Sequence, residues 1–138
     1  MIEVPAELSR LEEFTGAARR FAASAGLPER RLNDIELAVE EIFVNICEHG
    51  PDGVVVRLEC LDDGDTLVFE ISDDAPAFDP LARPDPDLDA PLEEREIGGL
   101  GIFLVKKLMD DARYERRGSR NALRLVVRKR PVAGSGRD

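Results

Sequence analysis

Residues 36–50, ELAVEEIFVNICEHG, set a carboxylate and a carboxamide one helical turn apart in a largely apolar stretch. On an α-helix, Glu41 and Asn45 stand roughly 40° apart around the axis on one face, rising ~1.5 Å per residue. Leu37, Ala38 and Val44 flank the pair. Leu32, Ile35, Val39, Ile42, Phe43 and Ile46 make the opposite, strongly hydrophobic stripe. A polar pair on such a helix loses hydration, so it must be hydrogen-bonded, paired with charge, or kept for a ligand. Glu offers a proton acceptor and Asn a neutral oxygen for a hard cation, a set suited to metal-assisted phosphoryl chemistry. On this helix alone a solvated face or a satisfied core network is the favoured reading, and the rest of the chain changes that balance.

With 138 residues, the chain has the length of one domain. No apolar run has the length of a membrane span, and MIEVPAELSR lacks the pattern of a signal peptide, so a cytoplasmic location is expected. Cys47 and Cys60 lack metal-ligand spacing and are expected to be buried thiols. The single histidine, His49, precedes Gly50 at the end of the helix, where a helix-terminal role is expected. The net charge of −10 disfavours direct nucleic-acid binding, which needs a basic surface, and suits a basic or mixed-charge protein partner better.

Outward from the central helix, residues 7–25 carry Leu8, Leu11, Phe14, Ala18 and Phe21 at helical spacing, with Gly26 as a stop. Pro28 opens the second helix, expected over 28–48. Residues 54–60 and 66–72 alternate as strands around the hairpin signal Asp62-Asp63-Gly64-Asp65. Residues 74–97 lack periodicity and hold five prolines, eight acidic and two basic residues. A segment of that kind inside a domain is a functional lid or a disordered insertion. Gly98-Gly99-Leu100-Gly101 then leads into a short helix, with Phe103, Leu104 and Leu108 expected on one side. Strands follow over 112–117 and 121–129, where Leu123, Leu125 and Val127 alternate with Arg124, Val126 and Arg128. The tail from Pro131 to Asp138 is expected to be disordered. Helices and strands come in runs, which predicts an α+β fold with helices layered on one sheet face.

Three segments of this chain could meet: Glu41 and Asn45 on the helix, Asp73 behind a strand, and the glycines 98–101 at a helix amino terminus. Free N–H groups and the helix dipole favour an anion at that last place. The glycines match neither a Walker A loop nor a dinucleotide fingerprint.

In order and spacing, ELAVEEIFVNICEHG (36–50), ISDDAPAFDP (71–80) and IGGLGIFLVKKLMDDARYERRGSRNAL (97–123) resemble the three boxes of the Bergerat-fold (GHKL) ATPase superfamily. Within it, the chain resembles the anti-sigma-factor serine/threonine kinases, the RsbW-type switch proteins of bacteria. The resemblance implies a two-layer α/β sandwich with a mixed, mostly antiparallel sheet, helices on one face and a long ATP lid. It assigns residues 1–130 to a histidine kinase-like ATPase domain and leaves 131–138 as a tail.

The resemblance also implies roles. Glu41 would be the catalytic base for a serine hydroxyl of a protein substrate. Asn45 would hold Mg²⁺ beside ATP, and Asp73 would accept a hydrogen bond from the adenine amino group. Gly99 and Gly101 would cradle phosphates, with Gly98 as the lid hinge and Leu100 between them. Arg95 lies near enough to touch a phosphate but fits no motif. Ala75 and Ala77 stand in the base-binding box where the family carries glycines; their methyl groups could crowd the pocket or clash with a positive φ. The implied partners are a sigma factor and an anti-sigma factor antagonist of the STAS-domain type, with a homodimer as the assembly. The rival is a non-catalytic anti-sigma or adaptor module with a weakened nucleotide pocket.

Overall fold

A computed structural model describes residues 1–82 and 99–130. Gly98, Arg95, most of the expected lid and the tail 131–138 lie outside the described residues.

In chain order the elements are β1 (Ile2–Pro5), α1 (Leu11–Ser24), α2 (Glu29–His49), β2 (Val55–Asp62), β3 (Thr66–Asp73), α3 (Gly99–Leu108), β4 (Asp111–Arg117) and β5 (Arg120–Arg128). Short 3-10 turns occupy Leu8–Arg10 and Pro80–Ala82. The five strands form one sheet in the order β1-β2-β3-β5-β4. Each pairing is antiparallel, a sharper form of the mostly antiparallel sheet expected. The strand β1 is absent from the sequence reading. It has four residues, only Val4 of them buried, and it exists through pairing with β2, where Val4 faces Val56.

Strand alternation sends one set of side chains under the helices. Val56 and Leu58 from β2, Leu67, Phe69 and Ile71 from β3, and Leu123, Leu125 and Val127 from β5 are buried there. Against them α2 presents Leu32, Ile35, Val39, Ile42 and Phe43, all buried, as its stripe predicts. Phe43 packs on Phe14 of α1 with ring centroids 4.8 Å apart. Phe21 meets Phe69 of the sheet edge-on at 5.8 Å and 89°. Full burial of one such side chain contributes about 1.5–3 kcal/mol.

Two details of the sequence reading change. Ile46 is only half-buried, because it borders a cavity. Ile102 and Val105 on α3, with Met109 just past its end, are buried rather than Phe103, Leu104 and Leu108. Spacing of three and four turns 102, 105 and 109 to the sheet, leaving Phe103 beneath the Lys107 ammonium at 5.3 Å. The hairpin between β2 and β3 forms as expected, with Gly64 at φ +83°, a conformation that favours glycine.

Candidate functional site

Between the C-terminal half of α2 and the adjoining ends of β3 and β5 lies a cavity of about 300 Å³. Asn45, His49, Asp73, Ala75, Ala77 and Asn121 are among the residues that line it. Its walls are otherwise largely apolar, the usual character of a small-molecule site.

Asn45 is a buried side chain that forms no hydrogen bond among the described residues. Its carboxamide borders the cavity, where water or a ligand can bond to it. Among the described residues, no group of three or more His, Cys, Asp and Glu side chains is arranged to hold a metal. A cation here would therefore take Asn45 Oδ1 and complete its shell with phosphate oxygens and water, the coordination Mg²⁺ prefers. The donor set fits that ion.

Glu41 is partly buried and does not line the cavity; it lies one turn back, against the first turn of α3. A Cβ built on Gly101 would overlap Glu41 Oε2 and stand 3.1 Å from its carboxyl carbon. The helix start and the expected base are thus in direct contact. Burial pushes the Glu41 carboxyl above the ordinary glutamate range, and the charges of Glu40 and Glu48 add to the effect. It has no ion-pair or hydrogen-bond partner among the described residues.

This contact explains a glycine at the third position of a helix, where alanine is ordinarily favoured by ~1 kcal/mol. Gly101→Ala is expected to destabilise the fold by about 1–3 kcal/mol through overpacking. In a Glu41→Ala background the same change should be neutral or stabilising. Urea unfolding of the four proteins of this cycle measures the coupling, and equal costs in both backgrounds would refute the contact.

Asp73 ends β3 and is buried. Its Oδ1 accepts the Ala75 N–H at 2.9 Å and the Asn121 Nδ2–H at 3.0 Å. Neither bond uses Oδ2, which remains available to a donor in the cavity. Asn121 was missed in the sequence reading and is the centre of the local network. Its Oδ1 accepts from Tyr114 OH at 2.5 Å, Phe78 N at 3.1 Å and Arg116 Nη1 at 3.2 Å. Its Nδ2 also donates to Pro76 O at 3.0 Å.

The two alanines sit in the wall without strain, since no described non-glycine residue has a positive φ. Their methyl groups narrow the cavity but do not distort the backbone. The space that Ala75 enters is left partly by Gly50, where a Cβ would come within 2.9 Å of Ile46 O and 3.8 Å of Ala75 Cβ. His49 ends α2 as expected and stacks on Phe78 at 5.5 Å, both rings lining the cavity. Gly99 and Leu100 open α3, the position expected of them. The thiols stand apart from this chemistry. Both are free and half-buried, and burial pushes Cys60 up to about 11.

An aspartate carboxylate on a largely apolar cavity, a carboxamide beside it and a glycine-started helix nearby are thus brought together on an α+β sandwich. The model of the histidine kinase-like ATPase domain matches residues 4–127, and the chain belongs to that family. Among curated proteins it is similar to the serine-protein kinase RsbW of Listeria monocytogenes, with 32% identity over 99 residues, 67% of this chain and 63% of that protein. RsbW of Listeria innocua is 30% identical over the same shares. The chain thus spans 63% of the length of these relatives. A crystal structure of the RsbU and RsbW domains of a Mycobacterium tuberculosis protein matches with a TM-score of 0.61 at 17% identity, over 92% of this chain and 32% of that one. The mycobacterial sensor histidine kinase MprB matches with a TM-score of 0.56 at 16% identity, over 95% of this chain and 100% of that one. These likenesses show the fold. Among the described residues no helix is long and apolar enough to cross a membrane.

Proposed function

We propose that this chain is a cytoplasmic anti-sigma factor and serine protein kinase that uses Mg-ATP to phosphorylate an anti-sigma factor antagonist of the STAS-domain type. It would act as a homodimer in a partner-switching circuit with a sigma factor. The observation that carries the reading is the placement of three side chains: Asp73 and Asn45 line the cavity, and Glu41 stands one turn back against the first turn of α3. The family match and the similarity to RsbW support it.

Each group then has a task. Asp73 Oδ2 accepts the amino group of adenine, and the apolar walls take the ring. Asn45 holds Mg²⁺, which when bound neutralises charge that builds on the phosphates during transfer. Gly99 and Gly101, with Leu100 between them, give the phosphates close access to backbone N–H groups, and Gly98 serves as the lid hinge. Glu41 removes the proton from the serine hydroxyl as its oxygen bonds to the γ-phosphorus. The bond from that phosphorus to the bridging oxygen breaks, and ADP leaves with the electron pair.

Calorimetry with Mg-ATP and a magnesium-free control tests the binding step. One magnesium-dependent site per chain is expected. No heat at millimolar nucleotide would favour the sequestering module instead. Asn45→Ala should abolish the magnesium dependence of nucleotide affinity, a loss of about tenfold or more for a direct ligand. Unchanged dependence would remove Asn45 from the metal.

A further inference from the structure

The turn 74–78 forms one wall of the cavity, yet no glycine conformation shapes it. It is held by bonds from the two strands behind it. Arg116 of β4 donates from Nη1 to Ala75 O at 2.9 Å and to Asn121 Oδ1 at 3.2 Å. Its Nε donates to Gly118 O at 3.1 Å, so the guanidinium is itself anchored to the β4–β5 turn.

The Asn121 amide has two ends, and its orientation decides what Asp73 meets. Tyr114 OH could either donate to that amide or accept from it, so it leaves the orientation open. The Arg116 guanidinium and the Phe78 N–H can only donate. They require the amide oxygen on their side, which turns Nδ2 toward Asp73 Oδ1. With Oδ1 fixed by two donors, the carboxylate cannot rotate freely, and Oδ2 keeps its aim. Arg116 itself does not line the cavity.

We propose that Arg116 is a positioning residue for nucleobase recognition: by fixing the Asn121 amide and the Ala75 carbonyl, it holds Asp73 ready for an exocyclic amino group. The inference rests on the nucleotide reading above and deepens it.

Arg116→Met keeps the stem and removes all donors; Arg116→Lys keeps the charge and one donor group. Affinities for Mg-ATP and Mg-GTP are measured by calorimetry for both variants and the wild type, alongside thermal unfolding. Arg116→Met should weaken Mg-ATP binding about tenfold, the size expected for losing charge-assisted hydrogen bonds. It should narrow the preference for ATP over GTP by about fivefold or more, with Arg116→Lys recovering part of both effects. A purely structural role would lower the unfolding temperature and weaken both nucleotides by the same factor, and that result overturns the proposal. So does a preference for ATP within about twofold of wild type. A wild-type chain that binds no adenine nucleotide overturns the function proposed above together with this inference. Wild-type binding with an unaltered Arg116→Met variant overturns this inference alone.

Discussion

Glu41→Gln is expected to lower phosphotransfer by about 10²–10⁴-fold while Mg-ATP affinity stays within about threefold of wild type. The amide keeps the shape of the carboxylate, so α2 and α3 pack as before, but it cannot take a proton from serine. Two pH signatures accompany the loss. A protonated Glu41 is no base, so the wild-type rate should fall as pH drops through its pKa. Burial, Glu40 and Glu48 raise that pKa, so the acid limb should lie above the range of an exposed glutamate. In Glu41→Gln the limb should vanish from the residual rate.

The second signature concerns stability. A carboxyl with a raised folded pKa binds more protons when folded than when unfolded, between the unfolded and folded values. Wild-type stability should therefore decline as pH rises through that window, and remain lower above it. Glu41→Gln should remove this component and be no less stable than wild type at neutral pH. Stopped-flow or filter-based phosphotransfer to the proposed antagonist substrate, with urea unfolding at several pH values, measures all three. Transfer at a near-wild-type rate would exclude Glu41 as the base.

The legibility of this molecule in its sequence follows from the range of its interactions. The long helix, the hairpins and the glycine start of α3 depend on neighbours three or four residues away, and their patterns are explicit. The four-residue β1 depends on β2, fifty or more residues distant, and leaves no periodicity of its own. Glu41 and Asn45 were expected together, but the structure turns Asn45 to the cavity and Glu41 to Gly101. Helical spacing fixes their separation; only the position of α3 fixes what each one meets.

Asn121 was legible and was overlooked. It is in phase with Leu123, Leu125 and Val127, so alternation places a carboxamide on the buried face of β5. A polar residue in that register is the same signal that singled out Asn45 on α2. Tyr114, the only tyrosine, and Arg116 share one parity on β4, and the antiparallel register sets Arg116 opposite Asn121. That adjacency needs the strand pairing and cannot be read from local sequence. The strain suspected at Ala75 and Ala77 likewise turned on a backbone angle that residue identity alone does not give.

Asp73→Asn is expected to weaken Mg-ATP binding by about a hundredfold or more, because the surrounding donors dictate how the new amide must lie. Ala75 N–H and Asn121 Nδ2 both point at the position of Oδ1. An asparagine there satisfies them only by placing its own oxygen at that position, which sends its NH₂ group to where Oδ2 stood. The cavity then offers a donor to the donor amino group of adenine, so a favourable bond becomes a repulsion between two buried polar groups. Loss of a hydrogen bond to a charged group costs about 1.5–3 kcal/mol, and the unsatisfied donors add to it. The fold should survive, since both internal bonds are kept, and the thermal midpoint should change by only a few degrees. The same inversion suits a base with a carbonyl in place of the amino group, so the preference for ATP over GTP should shrink or reverse. Calorimetry with both nucleotides distinguishes this from simple damage, which would weaken both alike. If Asp73→Asn bound ATP as tightly as wild type, Asp73 would not be the group that reads the base.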